Sequence, residues 1–219
     1  MKFLTALFIL FSSVAMAQSS VGIYFGYSDA HQKYSDWAEI PEDGDRTING
    51  FNAGLASFHP LGQKLELELR LGLARRGAGC IPGFAGIGPE PGPFNGDTQW
   101  LIDYAEFPLK VNYKIGILKE KLSLSLGSGA GVSYAIKGTE RVLNFDTNES
   151  IDSELQIGDL NRVSRLDYGI YSSARLNYSL NEFNIFLSGE SYIGLRDVDK
   201  FNTSKNRALS LNLGISRVL

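Results

Sequence analysis

The stretch KLSLSLGSGAGVSYAIKG, from Lys121 to Gly138, alternates with period two almost without a break. Leu122, Leu124, Leu126, Ala130, Val132, Tyr134 and Ile136 share one face. Ser123, Ser125, Gly127, Gly129, Gly131, Ser133 and Ala135 share the other. Successive side chains of a strand point to opposite sides of its sheet, so the stretch reads as a β-strand. Its second face is the constraint. A strand with one side in water carries Lys, Glu, Thr or Arg there, whereas this one carries a row of small residues.

The same signal recurs along the chain and gives eight strands. The first, SVGIYFGYS, aligns Val21, Ile23, Phe25 and Tyr27, and the second, INGFNAGLASFH, aligns Phe51, Ala53 and Leu55. The third, QKLELELRLGLARR, sets Leu65, Leu67, Leu69, Leu71 and Leu73 against Glu66, Glu68, Arg70 and Gly72. The fourth aligns Phe107, Leu109, Val111, Tyr113 and Ile115, and the glycine strand is fifth. The sixth aligns Leu166, Tyr168, Ile170, Ala174, Leu176, Tyr178 and Leu180. The seventh carries Phe183, Ile185, Leu187, Ile193 and Leu195, and the eighth Leu209, Leu211, Leu213, Ile215 and Leu219. No helical periodicity and no solenoid repeat interrupts them.

Connections alternate in length. Those after the second, fourth and sixth strands are short (HPLGQK, ILKEK, LNE), and those after the first, third, fifth and seventh are long and rich in Gly, Pro, Asp and Asn. Short turns at one end and long loops at the other are the organisation of an outer-membrane barrel. An even strand count puts both chain ends on the short-turn, periplasmic side. Volume then decides which face is inside. The lumen of an eight-stranded barrel barely holds its own side chains, and it cannot hold every large apolar residue of these rows. Lipid therefore lies against the apolar face, and a crowded polar lumen lies against the small one. Tyr27, Tyr134 and Tyr168 near the outer ends, with Tyr113, Tyr178 and Phe183 near the periplasmic ends, supply two aromatic girdles.

The N-terminus fits this placement. Lys2, the apolar run FLTALFILF and Ala15-Met16-Ala17 read as a secretory signal peptide over residues 1–17. Residues 18–219 then form one barrel domain, and loss of Lys2 takes the net charge from -3 to -4, which argues against a nucleic-acid partner. The single Cys80 allows no internal disulfide.

The segments YAEFPLKVNYKIG, SLGSGAGVSYAIKG, DYGIYSSARLNYSL and KNRALSLNLGIS resemble the PorT-like outer-membrane β-barrel family. The resemblance extends over the whole mature chain, and the aromatic-x-Glu-x-Pro-Leu segment is its most specific part. It implies an eight-stranded antiparallel up-and-down barrel in a Gram-negative outer membrane, without implying one activity. The terminal Leu219 departs from the aromatic residue with which outer-membrane barrels usually close.

No catalytic, cofactor-binding or metal-ligating residue is assigned. His31, placed in the first external loop near Asp29 and Asp36, is the one candidate for a hydrolase site, and His59, placed in the first periplasmic turn, has no acid–base partner nearby. Asp146, Glu149, Asp152, Glu154 and Asp159 in the acidic loop lack EF-hand ligand spacing. Cys80, placed in the Gly/Pro-rich loop, has no His near it in sequence, and that loop joins no helix, which excludes a phosphate-binding loop. The inward charges are Glu66, Glu68, Arg70, Lys110, Lys114, Lys137, Asp167, Arg175, Glu190 and Arg196. Because both signs are present, they are expected to pair and plug the lumen. The fourth strand is expected to contain a bulge, because Trp100, Ile102 and Tyr104 are apolar on even positions and Phe107 onward on odd ones.

These readings describe a non-enzymatic outer-membrane barrel with a plugged polar lumen. It would meet outer-membrane lipid and lipopolysaccharide along its wall, and would bind a protein partner or join an envelope assembly through its external loops. The alternatives are a role in protein secretion across the outer membrane, and an outer-membrane hydrolase.

Overall fold

A computed structural model describes residues 19–34, 47–80, 96–118, 121–158, 163–199 and 204–219. The strands are β1 (Ser20–Tyr34), β2 (Ile48–Pro60), β3 (Leu65–Cys80), β4 (Gly96–Leu118), β5 (Leu122–Asn144), β6 (Glu149–Glu154), β7 (Leu166–Leu180), β8 (Phe183–Gly194) and β9 (Ser204–Val218). Each wall strand pairs antiparallel with its neighbours, β1 with β9 and β4 with β5 included, so the sheet closes into an eight-stranded barrel. The β6 strand stands apart from the wall and pairs only with the outer end of β5, from Thr139↔Glu154 to Asn144↔Glu149. The acidic segment expected to be a loop is thus a hairpin. The first and last described residues meet at the short-turn end, where Ser20 pairs Val218 and the Leu219 amide donates to the Ser19 carbonyl at 2.8 Å.

Which face is inside follows from burial. Ile23, Phe25, Leu211 and Leu213 are exposed, at 57 % to 67 % of their surface, while Glu68, Lys110 and Asp167 are buried. A continuous apolar outer belt of this kind is a membrane-facing wall. All six girdle aromatics point outward as expected. At the tight β7–β8 turn, Asn181 takes a left-handed conformation (φ 52°), which Asn tolerates better than most side chains.

The bulge expected between Tyr104 and Phe107 does not form; the one extra residue of β4 against β5 is Ile117, beside the periplasmic turn. Ala105↔Tyr134, Glu106↔Ser133 and Phe107↔Val132 pair regularly, and even positions of β4 point inward from Trp100 to Asn112. The register against β5 shifts at Asp103/Tyr104, but the extra residue is Ile136, on β5. The apolar phase changes because the lumen itself changes polarity: Trp100, Ile102 and Tyr104 face an apolar interior near the long-loop end, and Lys110 a charged one lower down.

Candidate functional site

The lumen is filled in four layers. At the periplasmic end Tyr24, Ala56, Phe58 and Phe186 form an apolar floor, with Phe58 and Phe186 edge to face at 5.6 Å. Arg70 stacks over Tyr24 at 4.7 Å and Arg175 over Phe58 at 4.2 Å, so the guanidinium groups cover this floor as cation–π partners.

Above it lies an ionic layer of Glu66, Glu68 and Glu190 with Arg70, Lys110 and Arg175. Glu68 is its hub. Its carboxylate meets Arg70 Nε at 2.5 Å, Lys110 Nζ at 2.9 Å and Arg175 at 2.8 Å, and it accepts from Asn112 Nδ2 at 2.8 Å. Glu190 pairs with Lys110 and lies 3.3 Å from Arg70, and Glu66 pairs with Arg175. The layer is charge-balanced, as burial of ions requires.

The third layer centres on Arg76, which sequence reasoning missed. Its guanidinium pairs with Glu106, donates to the Tyr171 hydroxyl at 2.9 Å and to Ser133 Oγ at 3.1 Å, and lies 3.8 Å from the Tyr192 ring centroid. Asp167 accepts from Asn206 Nδ2 at 2.9 Å and lies 4.0 Å from Arg76. Parity held the missing signal: Arg76 shares its face with Glu68 and Arg70, and Glu106 shares one with Lys110. A cavity of about 10 Å3 beside Arg76, Glu106, Tyr171 and Glu190 leaves room for barely one water between the charged layers.

The fourth layer is an apolar cap. Trp100, Ile102, Tyr104, Ala135, Val163 and Val198 are buried together, with Leu155 and Ile157 packed on them. Short bridges Ile157↔Val163 and Val163↔Asp199 tie segments of the long β5–β7 and β8–β9 connections across the barrel mouth. The charged lumen is thus the middle, with an apolar cluster on either side of it.

The small face of β5 makes this filling fit. A Cβ on Gly131 would stand 2.7 Å from the Tyr171 ring and 2.9 Å from Pro108 Cα. The missing side chains of β5 are the space that Tyr171 and its neighbours occupy.

Other expected positions divide. Glu66, Glu68, Arg70, Lys110, Asp167, Arg175 and Glu190 face inward as expected. Lys114 and Lys137 do not: both are exposed, Lys114 because it lies at the periplasmic end of β4, and Lys137 because the Ile136 bulge turns it outward. Arg196 is half-buried beyond the end of β8. His31 is not in a loop but in β1, opposite Arg207, and no hydrogen bond joins it to a carboxylate among the described residues. Asp29 instead accepts from the Tyr27 hydroxyl at 2.9 Å, and Asp36 lies outside the described residues. His59 is the next-to-last residue of β2 and not part of the turn, and its ring lies between Ser19 Oγ at 2.9 Å and Ser57 Oγ at 3.2 Å. Cys80 is the last residue of β3.

In the acidic hairpin, Asp152 takes two hydrogen bonds from Arg141, at 2.7 and 2.8 Å, which hold its carboxyl below the usual range. Asp159 lies outside the described residues. Among the described residues no three acidic, His or Cys side chains converge as a metal site would require.

Several solved barrels are similar in fold. Neisserial surface protein A is 11 % identical, with 91 % of this chain and 97 % of that one covered at a TM-score of 0.47. The attachment invasion locus protein Ail of Yersinia pestis, solved with the heparin analogue sucrose octasulfate, is 17 % identical, with coverages of 91 % and 99 % and a TM-score of 0.41. The outer membrane protease OmpT from Escherichia coli is 11 % identical, with coverages of 92 % and 97 % and a TM-score of 0.40. No curated protein matches the sequence. Residues 16–200 match the family described as outer membrane protein beta-barrel domain, and the chain belongs to that family.

Proposed function

We propose that this protein is a non-enzymatic outer-membrane barrel that works through its external face, in binding or envelope assembly, and not as a channel. The layered filling of the lumen carries the reading. The three acids and three bases of the ionic layer balance, and apolar clusters stand above and below the charged middle. The β4 and β5 strands, each 23 residues long, also support it. A membrane-crossing strand needs roughly 9–11 residues, so about half of each strand is free to project beyond the bilayer. With β6 they make a three-stranded external blade that exposes Ile151 and Phe145. Exposed apolar side chains on an ordered external sheet suit docking of a protein partner.

Within the family, the YAEFPLKVNYKIG segment supports placement in the PorT-like branch, with residues 1–17 as a cleaved leader and 18–219 as the barrel. Planar-bilayer recording on the refolded protein tests the sealed lumen, and silent membranes are expected. Stable, large single-channel steps would overturn the reading. Photo-crosslinking from Phe145 in native membranes tests the blade, and a discrete adduct abolished by Ile151→Asp is expected. Failure to crosslink from both Ile151 and Phe145 would remove the blade from the proposal.

A further inference from the structure

Where β1 meets β9, the outward row is aliphatic and aromatic through most of the wall: Ile23 faces Ile215, Phe25 faces Leu213, and Tyr27 faces Leu211. Two steps beyond Asp29↔Leu209 its chemistry changes. His31 lies opposite Arg207, and Lys33 opposite Lys205, at the long-loop end of the barrel. Cations placed directly across a ladder repel and destabilise it. Among the described residues no ion pair or hydrogen bond ties any of these four side chains to a carboxylate, and the nearest acid on the strand, Asp29, is held by the Tyr27 hydroxyl at 2.9 Å. Arg75 meets Asp103 at 2.7 Å and Arg141 meets Asp152 at 2.7 Å, Lys137 lies opposite Asp103, and Arg165 donates to the Tyr134 hydroxyl at 3.2 Å. Among the described strand pairs, only this seam sets cation opposite cation.

We infer that the β1–β9 seam binds a phosphorylated lipid of the outer leaflet. Acyl chains would lie along Phe25, Leu211 and Leu213, and phosphate groups would lie against Lys33, Lys205 and Arg207, with His31 as a further hydrogen-bonding group. At roughly 3.3 Å per residue, the cations stand about 7–13 Å along the strands from Leu209; with strands tilted by about 40° that is about 5–10 Å along the bilayer normal, against a headgroup region about 5–8 Å deep. Arg and Lys are both phosphate partners, Arg as a fork and Lys as a point charge. The continuity of apolar wall and cationic rim favours a lipid over a free anion, because an anion alone gains nothing from the wall. The inference is independent of the docking role of the blade.

The test titrates refolded full-length protein in neutral detergent with bisphosphorylated lipid A and with its dephosphorylated form. The comparison protein is the triple variant Lys33→Gln, Lys205→Gln, Arg207→Gln, and Arg141→Gln on the far wall is the control. Binding of the phosphorylated lipid to the triple variant should weaken on the order of a hundredfold, since each basic residue near an anionic lipid contributes about fivefold. The dephosphorylated lipid should bind both proteins equally weakly, and Arg141→Gln should match wild type. If the triple variant does not show the heat-modifiable gel shift of a folded barrel, Lys205→Gln alone replaces it, with about a fivefold loss expected. Equal affinity of wild type for the two lipids, or unchanged binding by the folded variant, would overturn the inference. So would full displacement by millimolar inorganic phosphate, which would identify a site for free anions.

Discussion

Replacing Glu68 by Gln keeps the side chain's size and removes one charge from the centre of the lumen. Glu68 is 1 % exposed and is the only group in its layer that touches Arg70, Lys110 and Arg175 together. Three acids balance three bases there, so Glu68→Gln leaves one uncompensated positive charge. Breaking a buried ion pair by removing one partner costs about 3–5 kcal/mol. The aromatic floor and the cap restrict water, so at least about 3 kcal/mol is expected. Leu187→Ala is the comparison, because Leu187 faces lipid two strand positions from Lys110's partner Glu190. Insertion energies place its loss at about 0.5–1 kcal/mol. Equilibrium urea unfolding in phospholipid vesicles, followed by Trp100 fluorescence in a Trp37→Phe background, measures both. Adding Lys110→Met to Glu68→Gln restores charge balance, and the pair should recover at least about 1 kcal/mol relative to the sum of the single changes. Equal destabilisation by Glu68→Gln and Leu187→Ala, or strict additivity of the double variant, would show that the lumen charges are hydrated and screened and that the ionic plug is not structural.

Three further outcomes are expected. Gly131→Leu should lose about 1–3 kcal/mol or fail to fold, because its side chain would enter the Tyr171 ring, whereas Gly189→Leu, with no heavy atom within 4 Å of its Cβ position, should be tolerated on the lipid face; the unboiled gel shift reads both. Thr147→Cys in a Cys80→Ser background, at the exposed turn of the β5–β6 hairpin, should react with an impermeant thiol reagent on intact cells, and reaction only after permeabilisation would invert the topology. The Arg141–Asp152 pair should hold the blade above the free carboxylate value of about 3.9 and release it as pH falls through the lowered value of the folded state. Amide protection at Val142 and Ile151, taken relative to the intrinsic exchange rate at each pH, should then fall in acid for the wild type but not for Asp152→Asn, and protection unchanged with pH in the wild type would remove the pair's role.

The wall of the barrel was legible because its signal is local. Lipid on one side and a confined lumen on the other leave a period-two pattern in each strand, so the outward rows from Ile23 to Ile215 and the small face of β5 could be read directly. The contents of the lumen were legible only where they were polar. Trp100, Ile102 and Tyr104 keep the inward parity of Lys110, but apolar residues facing a lumen look, in sequence, like a strand that has changed phase. The bulge therefore seemed to belong to β4, when the irregularity at that level of the wall, Ile136, sits on β5. Arg76 and Glu106 followed the parity of the polar face and needed only its strict extension. The β6 strand had no alternating apolar row to announce it, since its hairpin is held by backbone pairing and by Arg141. Lys137 changed sides through the bulge, which no pattern of polarity marked. The seam cations became visible only once the register set His31 against Arg207 and Lys33 against Lys205.

The ionic layer also constrains how the barrel can be made. Its six charges come from β3, β4, β7 and β8, and Arg175 is separated from Glu68 by 107 positions of chain. A sheet stopped at β4 would hold Glu66, Glu68, Arg70 and Lys110 with two cations for two acids, but without Arg175 to span the axis or Glu190 to take up Lys110. Neutrality alone is thus reached early, while the hydrogen-bonded arrangement is complete only when strands from both halves of the sequence face one another. Contacts so distant in sequence form late and slowly. The curling sheet consequently has no well-paired resting state with a dry interior short of closure, and water must remain in the lumen until the last strands arrive. Drying of the interior and sealing of the β1–β9 seam become a single event, so weakening any one strand of the ionic layer should delay closure of the whole wall.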